Sequence, residues 1–216
     1  MALSLAEAID RLYDDFAHHP RPTSIACCPC CFDEKDASEL LSYGRLRTTP
    51  ADALRPYAAS VLFTVGGLDD YRHYLPRIME IACVEGFAFP DFESVVGRLD
   101  HAAWTTWPRS ERDAVHAFLD AIWEHALFAP DPLLWVDETL CGLGNAVEDL
   151  GPYLATWADN LADDRAAQRL LSFLTEDCRV GRDGLLQPTN AYWAKSRRRQ
   201  VEKWLASPLI TEFAGG

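Results

Sequence analysis

The strongest constraint on the fold of this chain is a helical spacing of apolar residues that recurs along most of its length. The clearest example follows Ser110-x-x-Asp113, where apolar side chains lie at positions 115, 118, 119, 122, 123 and 127. These positions share one face of an α-helix, because the helix turns once every 3.6 residues. The pattern therefore predicts a helix over residues 108–128.

Similar spacing between proline, glycine and aspartate breaks predicts further helices. Their expected ranges are 5–17, 37–43, 69–84, a short helix opening at 91, 132–146, 151–161, 164–178 and 189–206. Another helix starts at Pro50, and Pro56 either kinks it or begins a second helix that runs to Val65. Strand-like alternation is nearly absent. The sequence thus predicts an all-α fold of antiparallel helix pairs, as a compact orthogonal bundle or a short HEAT-like array.

The chain shows no internal division and no sign of export. No low-complexity linker interrupts it, so we expect a single helical domain over residues 1–216. No apolar stretch approaches the roughly 18 residues of a membrane helix. The first ten residues carry acids and no basic segment before an apolar run, which is unlike a signal peptide. We therefore expect a cytoplasmic protein.

The charge of the chain limits its partners. Lys+Arg number 20 and Asp+Glu number 33, which gives a formal net charge of −13 at pH 7. This charge repels phosphate backbones and anionic lipid, so neither nucleic acid nor a membrane is an expected partner. One basic segment, residues 195–203, is an exception. It is either a solvated helix face or a docking site for an acidic surface.

Four cysteines in five residues form the densest cluster of reactive side chains. They lie in a loop expected at about 23–36 and make two overlapping C-x-x-C pairs. This spacing suits zinc, but a closed site needs four ligands, and adjacent cysteines seldom both reach one ion. Two nearby histidines could supply the rest. The candidate metal or thiol site comprises Cys27, Cys28, Cys30, Cys31, His18 and His19.

The same cysteines have two other interpretations. A redox role requires an activated thiolate, which a nearby cation or a helix N-terminus would favour. Here Asp33, Glu34 and Asp36 instead place negative charge close by, which should raise the thiol pKa values. The third interpretation is that the thiols are unreactive and serve only to pack the loop.

A second group of polar residues follows two glycines. On the predicted helix, Asp69 and His73 are four residues apart, and Asp70 and Arg77 are seven apart. An acid, an imidazole and a guanidinium could thus share a face and orient a general base. Ordinary compensation of the helix dipole explains the same acids. No G-x-S-x-G or other complete catalytic motif is present, so the sequence favours a non-catalytic protein.

Two tryptophans bracket a predicted loop before Pro108, and we expect both to be exposed at a contact surface. Together with the polar group they form a candidate binding surface. Its residues are Asp69, Asp70, His73, Arg77, Trp104 and Trp107.

Three motifs carry a resemblance to a known group. They are Cys28-Pro-Cys30-Cys31, Thr64-x-Gly66-x-x-Asp69-Asp70-Tyr71 and Leu75-Pro76-Arg77. The chain resembles a group of bacterial proteins that share a C-P-C-C motif, a T-x-G-x-x-D-D-[FY] turn and an L-P-R helix. The resemblance implies a self-contained bacterial cytosolic domain. It brings no activity and no catalytic residues.

These observations favour a helical scaffold that binds an unidentified protein partner through an acidic face and exposed aromatic residues. The alternative is a zinc-binding or thiol-redox protein that uses the cysteine cluster. A weaker alternative is an enzyme that uses Asp69, Asp70, His73 and Arg77.

Overall fold

The computed structural model describes residues 3–28, 30 and 32–215. Within these residues the protein is about 65% helical, with eleven α-helices and one two-stranded sheet. The prediction of an all-α fold is confirmed, and the helix packing is consistent with a bundle. No helix in this described part of the chain is both long and apolar enough to cross a membrane.

The chain divides into two compact units, residues 1–121 and 122–216. The boundary falls inside one long helix. The expectation of a single domain over residues 1–216 stays a prediction.

Six helices begin in the first unit. They are α1 (Leu5–Phe16), α2 (Glu34–Ser42), α3 (Ala51–Ser60), α4 (Leu68–Glu80), α5 (Phe92–His101) and α6 (Arg109–Phe128). Ser4 and Glu7 form a capping box that starts α1, which packs against α4. A π-helical turn, Ile81–Glu85, follows α4 and ends at Gly86, whose φ of 78° suits glycine.

The segment predicted as a helix up to Val65 folds differently. Helix α3 contains Pro56 and ends at Ser60, and Val61 and Val65 then pair in an isolated β-bridge. Both valines are buried, and Leu62 between them has a φ of 66°. Local hydrogen bonds close this turn, from Leu62 N to Val65 O at 3.1 Å and from Thr64 N to Ser60 O at 3.1 Å. Gly66 N also donates to Ala26 O at 2.7 Å, which anchors the turn to a distant part of the chain.

The second unit contains the end of α6 and five more helices with a hairpin between them. These elements are α7 (Val136–Ala146), α8 (Gly151–Asp159), α9 (Asp164–Glu176), β1 (Cys178–Val180), β2 (Leu186–Pro188), α10 (Lys195–Leu205) and α11 (Pro208–Gly215). The strands are antiparallel, with Arg179 opposite Gln187. The core centres on Trp157, whose ring packs on Trp123 and Phe173 and whose Nε1 donates to Ala166 O at 3.0 Å.

The hairpin shortens both predicted helices around it. The helix predicted over 164–178 ends at Glu176, and the one predicted over 189–206 begins only at Lys195. Gly184, with a φ of 80°, supplies the turn that lets the two strands pair.

Candidate metal centre

Two adjacent histidines follow the last turn of α1. The chain stays in a tight turn there, because His19 N donates to Phe16 O at 3.1 Å. The imidazole rings of His18 and His19 lie 4.1 Å apart, and the ring of Phe16 packs 5.7 Å from that of His19. The turn therefore places both imidazoles side by side.

Glu111 reaches these histidines from the first turn of α6. Its side chain is completely buried. Its Oε1 atom lies 3.2 Å from His18 Nε2 and 3.1 Å from His19 Nε2. One potential ligand atom from each of the three residues lies within 4.8 Å of the other two. Two imidazole nitrogens and one carboxylate oxygen thus converge.

Arg72, from α4, holds the other carboxylate oxygen. Its Nε lies 3.6 Å from Glu111 Oε2, an ion-pair distance that is too long for a hydrogen bond. The guanidinium also lies over the Trp107 ring, with Cζ 4.7 Å from the ring centroid. Arg72 therefore balances the buried charge of Glu111 and leaves Oε1 facing the histidines.

The hydrogen bonds define where protons can lie. His18 Nδ1 is 3.0 Å from Asp15 O, and a carbonyl oxygen can only accept. Nδ1 therefore carries a hydrogen, and in the neutral ring Nε2 presents a lone pair toward Glu111 Oε1. Two acceptors 3.2 Å apart need a cation between them, either a second proton or a metal ion.

His19 is the more buried of the two histidines. Desolvation lowers the pKa of His19, and the hydrogen bond from its ring to Glu111 opposes this effect. Its side chain is only 10% exposed, whereas that of His18 is 59% exposed. The cluster is thus closed on the His19 side and open to water on the His18 side.

This donor set suits a divalent transition metal. Zinc sites combine His nitrogen with carboxylate oxygen, and those with three protein ligands keep one position for water. Metal-binding histidines usually donate their second N–H to a carbonyl or carboxylate, as His18 does to Asp15 O. The buried side and the Arg72 contact would fix the carboxylate, and the exposed side would admit water.

The predicted metal or thiol site is only partly brought together. Among the described residues, the one group of three or more potential ligands within 4.8 Å consists of His18, His19 and Glu111. Cys27, Cys28 and Cys30 are not members of it. Cys28 Sγ and Cys30 Sγ lie 2.9 Å from each other. Cys31 lies outside the described residues, and metal binding by the cysteines stays a prediction.

The polar residues of α4 have separate partners. Asp70 Oδ2 accepts from Gly67 N at 3.0 Å and so caps the helix, while His73 Nδ1 lies 3.1 Å from His19 O. Arg77 is buried and pairs with Glu80 at 2.9 Å and Glu85 at 2.6 Å. Asp69 is exposed. These contacts do not assemble an acid and a base into one catalytic group.

The expectation that Trp104 and Trp107 are exposed is wrong. Their exposed fractions are 1% and 3%. Ala103, with a left-handed φ of 49°, turns the chain so that Trp104 packs edge-on to His116 and Trp107 Nε1 donates to Ala102 O at 3.0 Å. Both rings are core residues, so this part of the candidate binding surface is not available to a partner.

Sequence reasoning missed Glu111, although a signal for it exists. Glu111 precedes Val115 by four residues and Phe118 by seven, which places it on the apolar face of the clearest amphipathic helix. A carboxylate on such a face needs a buried partner. That requirement singles out Glu111, while its partners His18, His19 and Arg72 come from distant parts of the sequence.

Comparisons of the chain with protein-family models, with curated proteins and with solved structures find no match. The resemblance to the bacterial group rests on the three motifs and stays a prediction.

Proposed function

We propose that this protein binds one divalent transition-metal ion, with zinc as the best fit, through His18, His19 and Glu111. The observation that carries the proposal is the approach of His18 Nε2 to the fully buried Glu111 Oε1, at 3.2 Å, with His19 Nε2 3.1 Å from the same oxygen. A metal ion bound to all three atoms would remove the conflict between two facing acceptors. We also propose a cytoplasmic location, as expected from the sequence.

The nature of the ligands supports a transition metal over magnesium or calcium. Imidazole nitrogen suits zinc, copper, iron and nickel, whereas magnesium and calcium prefer oxygen ligands. Arg72 Nε lies 3.6 Å from Glu111 Oε2, and its positive charge offsets the negative charge that the carboxylate offers to a metal ion. We therefore expect a site of moderate affinity that exchanges its ion, instead of a closed structural site.

Metal content and affinity test this proposal. Protein purified without a metal-affinity tag is analysed by elemental mass spectrometry and by zinc titration against a chromogenic chelator. We expect about one zinc per chain, with at least tenfold weaker binding in Glu111→Gln and His19→Asn. His101→Asn is the matched control, because His101 is exposed on α5 and outside the cluster. Wild-type protein that takes up no stoichiometric metal, or unchanged binding by Glu111→Gln, would refute the proposal.

A second candidate function, protein binding, is supported by the segregation of charge. Residues 179–203 hold seven of the 20 basic residues and two of the 33 acids. The segment thus carries +5, and the rest of the chain carries −18, for the total of −13. It forms the hairpin and α10, which pack together, and Arg198 Nη2 donates to Gln187 Oε1 at 3.2 Å.

Most of these basic groups face water. The exposed ones are Arg179, Arg182, Lys195, Arg199 and Lys203. None of them belongs to an ion pair within the described residues. Exposed apolar side chains lie in the same segment, at Val180 and Leu185. An acidic segment of another protein would complement this surface through its charge.

Fluorescence anisotropy tests this second function with a labelled glutamate-rich 20-residue peptide and a single-stranded 20-nucleotide DNA as probes. We expect salt-sensitive binding of the peptide that is lost in Arg179→Glu/Arg182→Glu. The matched control reverses two exposed arginines of the first unit, Arg45→Glu/Arg109→Glu. Absence of peptide binding, or equally tight DNA binding, would count against a protein partner.

A further inference from the structure

The loop that carries the cysteine cluster is anchored on both sides. Ala26 O accepts a hydrogen bond from Gly66 N at 2.7 Å, and Phe32 N donates to Cys28 O at 3.0 Å. Phe32 is 1% exposed, and its ring packs edge-on to that of Tyr57. The backbone on either side of the cysteines is therefore fixed to the core of the first unit.

Within this loop, two sulfur atoms approach each other closely. Cys28 Sγ and Cys30 Sγ are 2.9 Å apart, which is inside the about 3.5 Å at which non-bonded heavy atoms ordinarily stop. Cys28 is partly exposed and Cys30 is exposed, so a small reagent can reach both. The fold thus brings together two accessible thiols that are separated by one residue.

Other cysteines have surroundings that suppress thiol chemistry. Burial raises the pKa of Cys83 well above its usual range, and burial together with the charge of Asp137 raises the pKa of Cys178 to about 12. Such thiols stay protonated and react slowly. They therefore serve as internal controls for the loop.

The acid next to the cysteine loop opposes ionisation of the thiols less than its position in the sequence suggests. Asp33 is the N-cap of α2, and its Oδ1 accepts from Lys35 N at 2.8 Å and from Asp36 N at 2.9 Å. Its charge is thus engaged at the positive end of a helix.

We propose that Cys28 and Cys30 form a disulfide when a hydroperoxide oxidises them, which makes the loop a reversible modification site. One thiolate attacks the O–O bond: an S–O bond forms, the O–O bond breaks, and the leaving alkoxide takes a proton. The second thiol then attacks this sulfur, an S–S bond forms, the S–O bond breaks and water leaves. Two thiols and one hydroperoxide give one disulfide, one alcohol and one water, and two electrons pass from sulfur to oxygen.

This site is independent of the proposed metal centre. An exposed disulfide that closes a ring across one residue is of the labile kind, so cytosolic thiols would reduce it again. The loop would then report the oxidation state of its surroundings.

Intact-mass spectrometry tests the proposal. Reduced, chelator-treated protein is exposed to one equivalent of hydrogen peroxide, alkylated and mapped by peptide analysis. We expect a loss of 2 Da, an alkylation count lower by two, a Cys28–Cys30 linkage and full reversal by glutathione. Cys30→Ser and Cys28→Ser should lower disulfide yield at least tenfold, whereas Cys27→Ser and Cys83→Ser should leave it unchanged.

Two outcomes would overturn the assignment. One is an unchanged disulfide yield in Cys30→Ser with loss in Cys31→Ser, which would identify a different pair. The other is a wild-type protein whose alkylation count stays constant under peroxide. Peptide mapping of oxidised wild-type protein identifies the linked cysteines directly. The test therefore does not depend on whether every variant folds.

Discussion

At the scale of single residues, the buried carboxylate of Glu111 needs a compensating positive charge. Taking one charge of a buried pair away typically costs about 3–5 kcal/mol, because the other charge remains without compensation. Arg72 Nε lies 3.6 Å from Glu111 Oε2, and neither atom has a hydrogen-bond partner among the described residues. We therefore expect Glu111→Leu to lower the free energy of unfolding by about 3 kcal/mol.

A double-mutant cycle checks this prediction by urea denaturation in the presence of a chelator. The variant Arg72→Met/Glu111→Leu should recover most of the loss, since replacing both charges by apolar groups is often nearly neutral. If the two single losses simply add, Arg72 and Glu111 are not energetically coupled, and the prediction is wrong.

His125, on α6, gives a pH-dependent prediction. Burial lowers the pKa of His125 below its usual 6.5. Between the folded and unfolded pKa values the unfolded chain binds more protons, so stability rises with pH in this window and falls as the pH drops below 6.5. Relative to His125→Asn, wild type should lose stability from pH 7.5 to 5.0, by less than about 1 kcal/mol because water screens this half-buried ring. Urea denaturation at the two pH values measures the difference, and a relative gain at pH 5.0 would contradict it.

The sequence indicated two of the three side chains of the candidate metal centre. His18 and His19 attract attention because they adjoin a cysteine loop, but their partner turned out to be Glu111, 92 residues after His19. No spacing rule links residues so far apart. Only the packing of α6 against the end of α1 makes them neighbours, so the sequence could indicate that Glu111 needs a partner but not which one.

At the scale of elements, α7 fits its neighbours too closely to accept even a methyl group. A Cβ on Gly144 would lie 2.7 Å from Trp193 Cζ3 and 3.3 Å from Arg197 Cβ. Alanine is the better helix former by about 1 kcal/mol, but overpacking costs about 1–3 kcal/mol. We expect Gly144→Ala to lower the free energy of unfolding by about 1 kcal/mol. Gly44→Ala is the control, since no atom lies within 4 Å of its Cβ position; equal stability of the two variants would refute the prediction.

How well each element could be predicted depended on its length. The helix predicted over 108–128 is observed as Arg109–Phe128, because twenty residues give the periodicity enough turns to be recognised. Strands β1 and β2 have three residues each, too few for alternation to be visible, and the hairpin was missed. The helix predicted up to Val65 was wrong for another reason. Residues 61–65 form a turn that local hydrogen bonds close and that a bond from Gly66 N to a distant carbonyl, Ala26 O, anchors.

At the scale of the whole molecule, excess negative charge is spread over both units. Residues 1–121 contain 19 acids and 11 basic residues, and residues 122–216 contain 14 and 9. The net charges are therefore −8 and −5. The excess negative charges within each unit repel one another, although the basic segment at 179–203 offsets part of this repulsion in the second unit.

This repulsion predicts how salt changes thermal stability. Raising the ionic strength from 0.01 to 0.3 M shortens the Debye length from about 30 Å to below 10 Å, which screens like charges across each unit. Salt also weakens exposed ion pairs such as Arg109–Asp113, but each is worth at most about 1 kcal/mol. With 13 more acids than basic residues, repulsion should dominate. We expect sodium chloride to raise the Tm at pH 7 by about 2–4 °C, equivalent to roughly 1 kcal/mol, as measured by circular dichroism.

The same measurement near the isoelectric point, about pH 4.8, is the control for this prediction. There the net charge vanishes, so the rise of Tm with salt should disappear. A Tm that falls with salt at pH 7 would mean that the ion pairs stabilise the fold more than the net charge destabilises it.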